Sequence, residues 1–294
     1  MVPFGYVSGI QLDPIEKKPF FHVLPGTRTV SFGMLGCSFR CLWCQNWETS
    51  QVIKDPDAGG RIQDTTPAEV AELCRTTGAP VLTSTYNEPM ITAEWAAAVM
   101  GAARRDGVRG AIVSNGHGTT EVVEYLAPWV DFWKIDLKGF DAKRYRAMTT
   151  GSLDRVLETI RTVKERGKWL EVVTLVVPGV NDSDGELKEI AGFLASVSTE
   201  IPWHVTAFRP EYRMADARPT PPATLLRACE AGRAAGLKFV YAGNLPGLTG
   251  QWENTSCPGC GAVLVERQGF TVIANRIANG TCPSCGLTIP GAWV

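Results

Sequence analysis

The sequence predicts an α/β protein built from parallel βα units, arranged as a barrel or an open sheet, with a small cysteine-rich segment at its C-terminal end. Three observations carry that prediction. Strand-like and helix-like stretches alternate from Thr29 to about Ala242, the pattern of repeated βα units. The strands are apolar without alternation, as in VVTLVV at 172–177, and so suit burial on both faces. Polar residues fall at or just past the C-terminal ends of those strands: Cys37, Glu88, Ser114 with Asn115, Asp136 with Lys138, Asn181 with Asp182, Arg209 and Asn244. In a parallel βα barrel those ends share one face, and that face carries the active site.

Taken in order, residues 1–28 read as an irregular extension, because Pro3, Pro14, Pro19 and Pro25 are spaced too closely for a helix. His22 there reads as a structural residue rather than a ligand. Thr29 to Leu35 is the first strand. Thr66-Pro67-Ala68-Glu69 is a capping box with proline at the first helical position, and Gly78 stops the helix that carries Val70, Leu73 and Cys74. A strand at Pro80 to Thr85, a helix from about Thr92 to Asp106 and a strand from Val108 to Ser114 follow. After a helix near Thr119 to Leu126, Val130 to Leu137 reads as a strand. Ser152 caps a helix with Leu153, Val156, Leu157, Ile160 and Val163 at helical spacing, ending at Gly167. Trp169 to Val177 is a long strand, and Ser183 with Glu186 forms a second capping box. A strand at Trp203 to Phe208, a helix opened by Pro221 and Pro222, and a strand at Leu237 to Ala242 complete the series. Residues 29–250 are therefore one unit and 251–294 another.

Composition excludes several roles. The chain has 294 residues and a formal net charge of −1, with no Lys/Arg cluster, so nothing points to an electrostatic grip on nucleic acid or a membrane surface. No apolar run approaches membrane-spanning length, and MVPFGYVSG lacks the basic and apolar regions of a signal peptide, so the expected location is the cytoplasm. Nine cysteines in a reducing compartment argue for metal sites over disulfides. Seven of the nine fall in clusters; Cys74 and Cys229 lie on apolar helix faces and read as packing residues.

The first cluster is GCSFRCLWC, Gly36 to Cys44, with Cys37, Cys41 and Cys44 at C-x3-C-x2-C spacing directly after a strand. A loop of this length can curl around an iron–sulfur cube and supply three of its corners, leaving one iron open to chelate a small molecule and pass it an electron. A zinc site with a distant fourth ligand, or a set of buried thiols, is the competing reading.

CSFRCLWC resembles the signature of the radical S-adenosylmethionine (SAM) superfamily. Together with DPIEKKPFFHVLPGT, CQNWETSQ, STYNEP, DLKGF and the late CPGCG and CPSCG pairs, it resembles the radical SAM component of the AmmeMemoRadiSam system, related to pyruvate formate-lyase activating enzymes. The resemblance implies a partial (β/α)6 barrel, to which the seventh predicted strand is an addition. It also implies a 4Fe-4S cluster on Cys37, Cys41 and Cys44, and reductive cleavage of SAM to a 5′-deoxyadenosyl radical that abstracts hydrogen from a substrate. Memo-like and AMMECR-type proteins are the implied partners, with flavodoxin or ferredoxin as reductant.

Residue roles follow from the same resemblance. Tyr86-Asn87-Glu88 stands where the superfamily has a Gly-Gly-Glu-type segment for the SAM amino group; both glycines are replaced, and Glu88 keeps the carboxylate. Ser114 and Asn115 match the segment that meets the SAM ribose. Asp136-Leu137-Lys138 matches an Asp-Leu-Lys segment, in which Lys138 would meet the SAM carboxylate and Asp136 could bind a monovalent cation. A helix cap at Glu88 and an internal Asp136–Lys138 ion pair are the competing readings. His117 and His204 stay unassigned, with His204 expected to be satisfied inside the barrel.

The tail carries Cys257-Pro258-Gly259-Cys260-Gly261 and Cys282-Pro283-Ser284-Cys285-Gly286, two knuckles whose four thiolates suit one tetrahedral zinc. Rubredoxin-type iron and an auxiliary iron–sulfur cluster are the alternatives, and a hairpin over Val263 to Glu266 and Phe270 to Asn275 fills the gap between the knuckles. An enzyme is the leading reading. The alternative within the enzyme class is an activase that places a radical on a glycine of another protein, and the alternative of a different class is a non-catalytic iron–sulfur or zinc-ribbon protein for electron transfer or nucleic-acid binding.

Overall fold

Residues 4–294, described by a computed structural model, are organised around one nine-stranded sheet. In chain order the elements are β1 (Tyr6–Pro14), β2 (Arg28–Met34), α1 (Trp47–Ser50), β3 (Gln63–Asp64), α2 (Pro67–Thr77), β4 (Val81–Ser84), α3 (Ala93–Ala103), β5 (Arg109–Ser114), α4 (Thr120–Leu126) and β6 (Phe132–Asp136). There follow α5 (Ala142–Thr149), α6 (Leu153–Glu165), β7 (Trp169–Val176), α7 (Asp184–Val197), β8 (Trp203–Ala207), α8 (Pro222–Ala234), β9 (Val240–Gly243), and the three ribbon strands β10 (Thr255–Ser256), β11 (Val263–Gln268) and β12 (Thr271–Asn275).

The sheet order is β3-β1-β2-β4-β5-β6-β7-β8-β9, and every pair from β2 to β9 is parallel. Seven parallel strands alternate with helices, and β3 and β9 stand at the two ends of the order, so the barrel is partial and not closed. The extra seventh strand is β9. Among the described residues no helix is long and apolar enough to cross a membrane.

Besides the short α1, β3 and β10, two longer elements differ from expectation. The segment expected to be irregular contains β1, nine residues that pair antiparallel with β2 and, through Tyr6 and Val7, with β3. The prolines that argue against a helix do not argue against an edge-side strand, and Pro14 closes it. The second is α5, which the sequence does not announce: only Tyr145 and Thr149 are buried along it, and it starts because Asp141 accepts the Arg144 amide at 2.7 Å.

Caps divide in the same way. The Thr66 box is complete, with the Glu69 amide on Thr66 Oγ1 and the Thr66 amide on Glu69 Oε2, and Gly78 ends α2 at φ 66°. Ser183 does accept from the Glu186 amide at 3.3 Å, but the Glu186 carboxylate turns to the Phe140 amide and the Arg144 guanidinium instead of completing the box. Ser152 makes no side-chain cap bond. Cys74 and Cys229 are buried in the apolar core, as packing residues.

The N-terminal end of the barrel is plugged by charge rather than by apolar side chains. Glu171 on β7, fully buried, accepts from the Phe21 and His22 amides at 3.0 Å, from Trp169 Nε1 at 3.1 Å and from His204 Nε2 at 2.6 Å, with Lys134 Nζ 3.7 Å away. His22 Nε2 lies 2.6 Å from the Tyr241 hydroxyl and Nδ1 lies 2.7 Å from the Pro290 carbonyl, so both histidines are structural. Burial works against the Glu171 carboxylate, yet the Lys134 charge and the His204 hydrogen bond hold it well below its usual range. Burial pushes His22 down to about 4, and burial with the Lys134 charge pushes His204 down to about 3.

A pH dependence follows. Both rings are neutral in the folded chain and protonate near 6.5 once exposed, so stability is full above pH 6.5 and falls as pH drops toward 4. Each ring costs at most about 1.4 kcal/mol per pH unit below 6.5. Thermal melts at pH 7.5 and 5.5 should differ by about 5 °C, the acid sample melting lower. Equal melting temperatures would mean the rings are not buried in neutral form.

Candidate active site

The cysteine loop begins where β2 ends. Gly36, at φ 86°, turns the chain, and its amide donates to the Thr49 carbonyl at 2.9 Å. The loop then lies on the turn between α5 and α6: the Arg40 amide donates to Thr149 O at 2.8 Å and the Leu42 amide to Met148 O at 3.2 Å. Phe39 packs so closely on Gly151 that a Cβ there would sit 2.2 Å from its ring. The unforeseen helix α5 is thus the platform for the loop.

Cys41 is buried, and Cys37 and Cys44 are half-buried; all nine cysteines are free thiols. Cys37 Sγ receives the Phe39 amide at 3.4 Å and Asn115 Nδ2 at 3.6 Å. Burial, reinforced by the Glu88 charge, pushes the Cys37 thiol up to about 11. Burial pushes Cys41 up to about 12 although the Lys138 charge draws it down. Thiolates bind metal only after losing those protons, so loading of this loop releases protons and draws on the Lys138 cation. Among the described residues, the set whose ligand atoms all lie within 4.8 Å of one another is the C-terminal one, not this one.

Glu88, fully buried at the end of β4, accepts from Ser114 Oγ at 2.7 Å, the Asn115 amide at 2.7 Å and the Met90 amide at 3.0 Å. Burial raises its carboxyl to about 6 in spite of those donors. This carboxylate ties β4 to β5 and caps the turn at Pro89, the helix-cap reading. Its bond to the Asn115 amide leaves the Asn115 side chain aimed at Cys37 Sγ and at Ser38 Oγ, 3.1 Å away.

Tyr86 holds φ 73°, a left-handed backbone that glycine adopts freely, at the position where a glycine was missed. Its phenol points away from the cysteines, toward Asp13 Oδ2 at 3.1 Å and Lys18 Nζ at 2.8 Å, so any contact from Tyr86 to a ligand runs through its backbone. Asn87 Oδ1 accepts the Met34 amide at 3.0 Å and locks the end of β2 beside it.

Asp136 and Lys138 are ion-paired at 2.6 Å. Burial works against the Lys138 ammonium, but the charges of Asp136 and Cys41 outweigh it and hold its pKa above the ordinary value. Lys138, Trp43 and Tyr145 line a narrow cleft beside the loop. Of the other strand-end residues, Asn181 lines the same cleft. Asn181 bridges the Val177 amide and the Lys138 and Leu175 carbonyls, Asn244 at φ 65° donates to Ala207 O, and Arg209 is exposed. Three side chains that no spacing rule singled out, Ser50, Gln51 and Lys54, do reach the loop; the string CQNWETSQ, which opens on the third cysteine, contains Ser50 and Gln51, and Lys54 lies three residues beyond it.

The ribbon lies at the opposite end of the barrel, where Thr255 meets Tyr241, Pro290 meets His22 and Arg267 donates to the Phe21 carbonyl. Cys257 Sγ is 3.6 Å from Cys285 Sγ, and Cys260 Sγ is 3.7 Å from Cys282 Sγ. A tetrahedron with metal–sulfur bonds of about 2.3 Å has edges of about 3.8 Å, so the four sulfurs fit one ion. Gly261 and Gly286, at φ 77° and 75°, close the two knuckles.

Residues 32–194, more than half of the chain, match the Radical SAM superfamily. An uncharacterized protein of Methanocaldococcus jannaschii is 38% identical over 97% of this chain and 84% of its own length. The pyruvate formate-lyase 1-activating enzyme of Escherichia coli K12 is 23% identical over 69% of this chain and 87% of that enzyme. The fold is similar to that of Streptococcus suis SuiB bound to S-adenosylmethionine, with a TM-score of 0.59 at 14% identity over 80% of this chain and 53% of that one.

Proposed function

The chain belongs to the radical SAM superfamily and is an enzyme of that class, and on this premise we propose that Cys37, Cys41 and Cys44 hold a 4Fe-4S cluster beside a SAM site on the barrel's C-terminal face. When bound, the cluster supplies the electron that splits SAM into methionine and a 5′-deoxyadenosyl radical. The chain's own residues bind, orient and exclude water. Lys138 meets the SAM carboxylate, with Asp136 as its counter-charge or as a ligand to a monovalent cation. Ser114 and Asn115 serve the ribose, and the backbone of Tyr86 and Asn87 serves the amino group. Glu88 holds Asn115 in place, and direct contact with the ammonium would need it to give up burial. One metal ion, zinc by its four-thiolate set, holds the ribbon.

The observation that carries this reading is that the three cysteines, the Asn115 side-chain amide and the Lys138 ammonium lie just past the ends of β2, β5 and β6 in one parallel run, with Asn115 on Cys37 Sγ and the Lys138 charge acting on Cys41. Memo-like and AMMECR-type proteins, with a flavodoxin or ferredoxin as reductant, are the partners the sequence resemblance supports. A second reading, activation of a glycyl-radical enzyme, is favoured by the similarity to the Escherichia coli activating enzyme. The test is chromatography for 5′-deoxyadenosine after anaerobic reconstitution with iron and sulfide, reduction by dithionite and addition of SAM. Its formation is the expected result. None formed, even with candidate partners present, would leave an electron carrier.

A further inference from the structure

The segment that follows the third cysteine carries three side chains that point onto the cysteine loop and that no role above uses. Ser50 Oγ lies 3.2 Å from Cys44 Sγ. Gln51 Nε2 donates to Ser50 Oγ at 3.0 Å and to the Phe39 carbonyl at 3.1 Å. Because that hydroxyl oxygen already accepts from Gln51, its own hydrogen is left to point at the Cys44 sulfur. Lys54 Nζ donates to the Cys37 carbonyl at 2.5 Å and to the Phe39 carbonyl at 3.3 Å. Ser50 and Gln51 are 1% and 2% exposed, and Lys54 is half-buried.

The segment is also held firmly. The Gln51 carbonyl accepts the Lys54 and Asp55 amides at 2.7 and 2.9 Å. The Asp55 carboxylate accepts from the Tyr212 hydroxyl and, at 3.0 Å, from the Arg213 guanidinium, while the Arg213 amide returns to the Leu42 carbonyl of the cysteine loop at 3.0 Å. Trp47 stacks on Tyr212 with ring centroids 5.2 Å apart. Such bracing on both sides is what a group needs if its distance to a redox centre is to stay constant.

We propose that Ser50 and Lys54 set the reduction potential of the cluster held by Cys37, Cys41 and Cys44, with Gln51 as the residue that positions Ser50. Reduction adds one negative charge to the cluster and its thiolates. A hydroxyl donated to one sulfur and a fixed cation on the backbone carbonyls of the loop stabilise that charge, and they do so strongly where water is sparse. Removing either makes the cluster harder to reduce. Arg40, Glu88, Asp136 and Lys138, charges that also act on the loop, are untouched by the substitutions that test this.

The inference rests on the cluster assignment, and the experiment separates the two. Full-length wild type, Ser50→Ala, Lys54→Met and Lys54→Arg are reconstituted anaerobically, counted for iron and sulfide, and titrated with dithionite while the electron paramagnetic resonance signal of the reduced cluster is followed. Expected is wild-type iron in Ser50→Ala and Lys54→Met, with the ratio of reduced to oxidised cluster at a fixed potential lowered about tenfold, which is about 59 mV for a one-electron couple. Lys54→Arg keeps the charge and should titrate like wild type. Wild-type iron with an unchanged titration in Ser50→Ala and Lys54→Met overturns the proposal. Loss of iron from Ser50→Ala, which removes a single oxygen, overturns it in favour of a purely structural role. A wild-type chain that holds no iron overturns the cluster assignment itself, and this proposal with it.

Discussion

Cys41→Ala should hold no iron or sulfide in the barrel, form no 5′-deoxyadenosine, and keep its second metal. Cys41 is the buried member of the three, 8% exposed, in a loop that reaches it through backbone bonds to Met148 and Thr149. A cluster that already leaves one iron without a protein ligand has none to spare. The four ribbon sulfurs lie at the other end of the barrel and keep their own ion. Cys282→Ser should behave in the opposite sense, losing the ribbon metal while the loop keeps its iron. Iron, sulfide and zinc counts on both variants decide the matter. Four irons per chain in Cys41→Ala would remove the loop from the cluster site.

The second large effect is on stability. Glu171→Ala strands the Lys134 ammonium in the barrel floor, fully buried, and leaves the Phe21 and His22 amides and His204 Nε2 without their acceptor. Breaking a buried pair by removing one partner costs about 3–5 kcal/mol, because the remaining charge is desolvated and uncompensated. For a chain of this size the melting temperature should fall by about 10 °C. Lys134 already sits near the limit: burial draws its pKa down to about 7 even with Glu171 beside it. Glu171→Ala should therefore relieve itself by holding Lys134 neutral at lower pH still, and its deficit should shrink as pH rises from 5 to 7, where the wild-type Lys134 also loses its proton. Circular dichroism melts across that range test both claims. A variant melting within about 2 °C of wild type at pH 7 would show that the floor is hydrated rather than buried.

The parallel strands were legible because a strand buried on both faces must be apolar along its whole length, and no other element of that length reads so. Six helices were legible from the 3.6-residue spacing of their apolar stripes and from Pro, Thr or Ser at their starts. What stayed hidden shares one property. β1 buries Val7 and Asp13 and leaves the residues between them half-buried apart from the exposed Gln11, and α5 buries two residues of eight, so neither carries a periodic apolar signal. Each exists because something distant receives it: β1 because Asp13 meets Lys18 and Tyr86, α5 because the cysteine loop rests on its last turn.

By itself, the sequence determined the cysteine spacings, the order of strands and helices, and the placing of Cys37, Glu88, Ser114, Asn115, Asp136 and Lys138 at strand ends, since all of these depend on residues a few positions apart. Only the tertiary structure decided what those side chains face. Glu88 turned inward to Ser114 and Asn115, the Tyr86 phenol turned away to Asp13, Lys138 closed on Asp136, and Ser50 and Lys54 came to rest against the cysteines. A buried polar atom takes whichever partner the packed chain brings within hydrogen-bond reach, and for most of these the partner comes from another element of the fold.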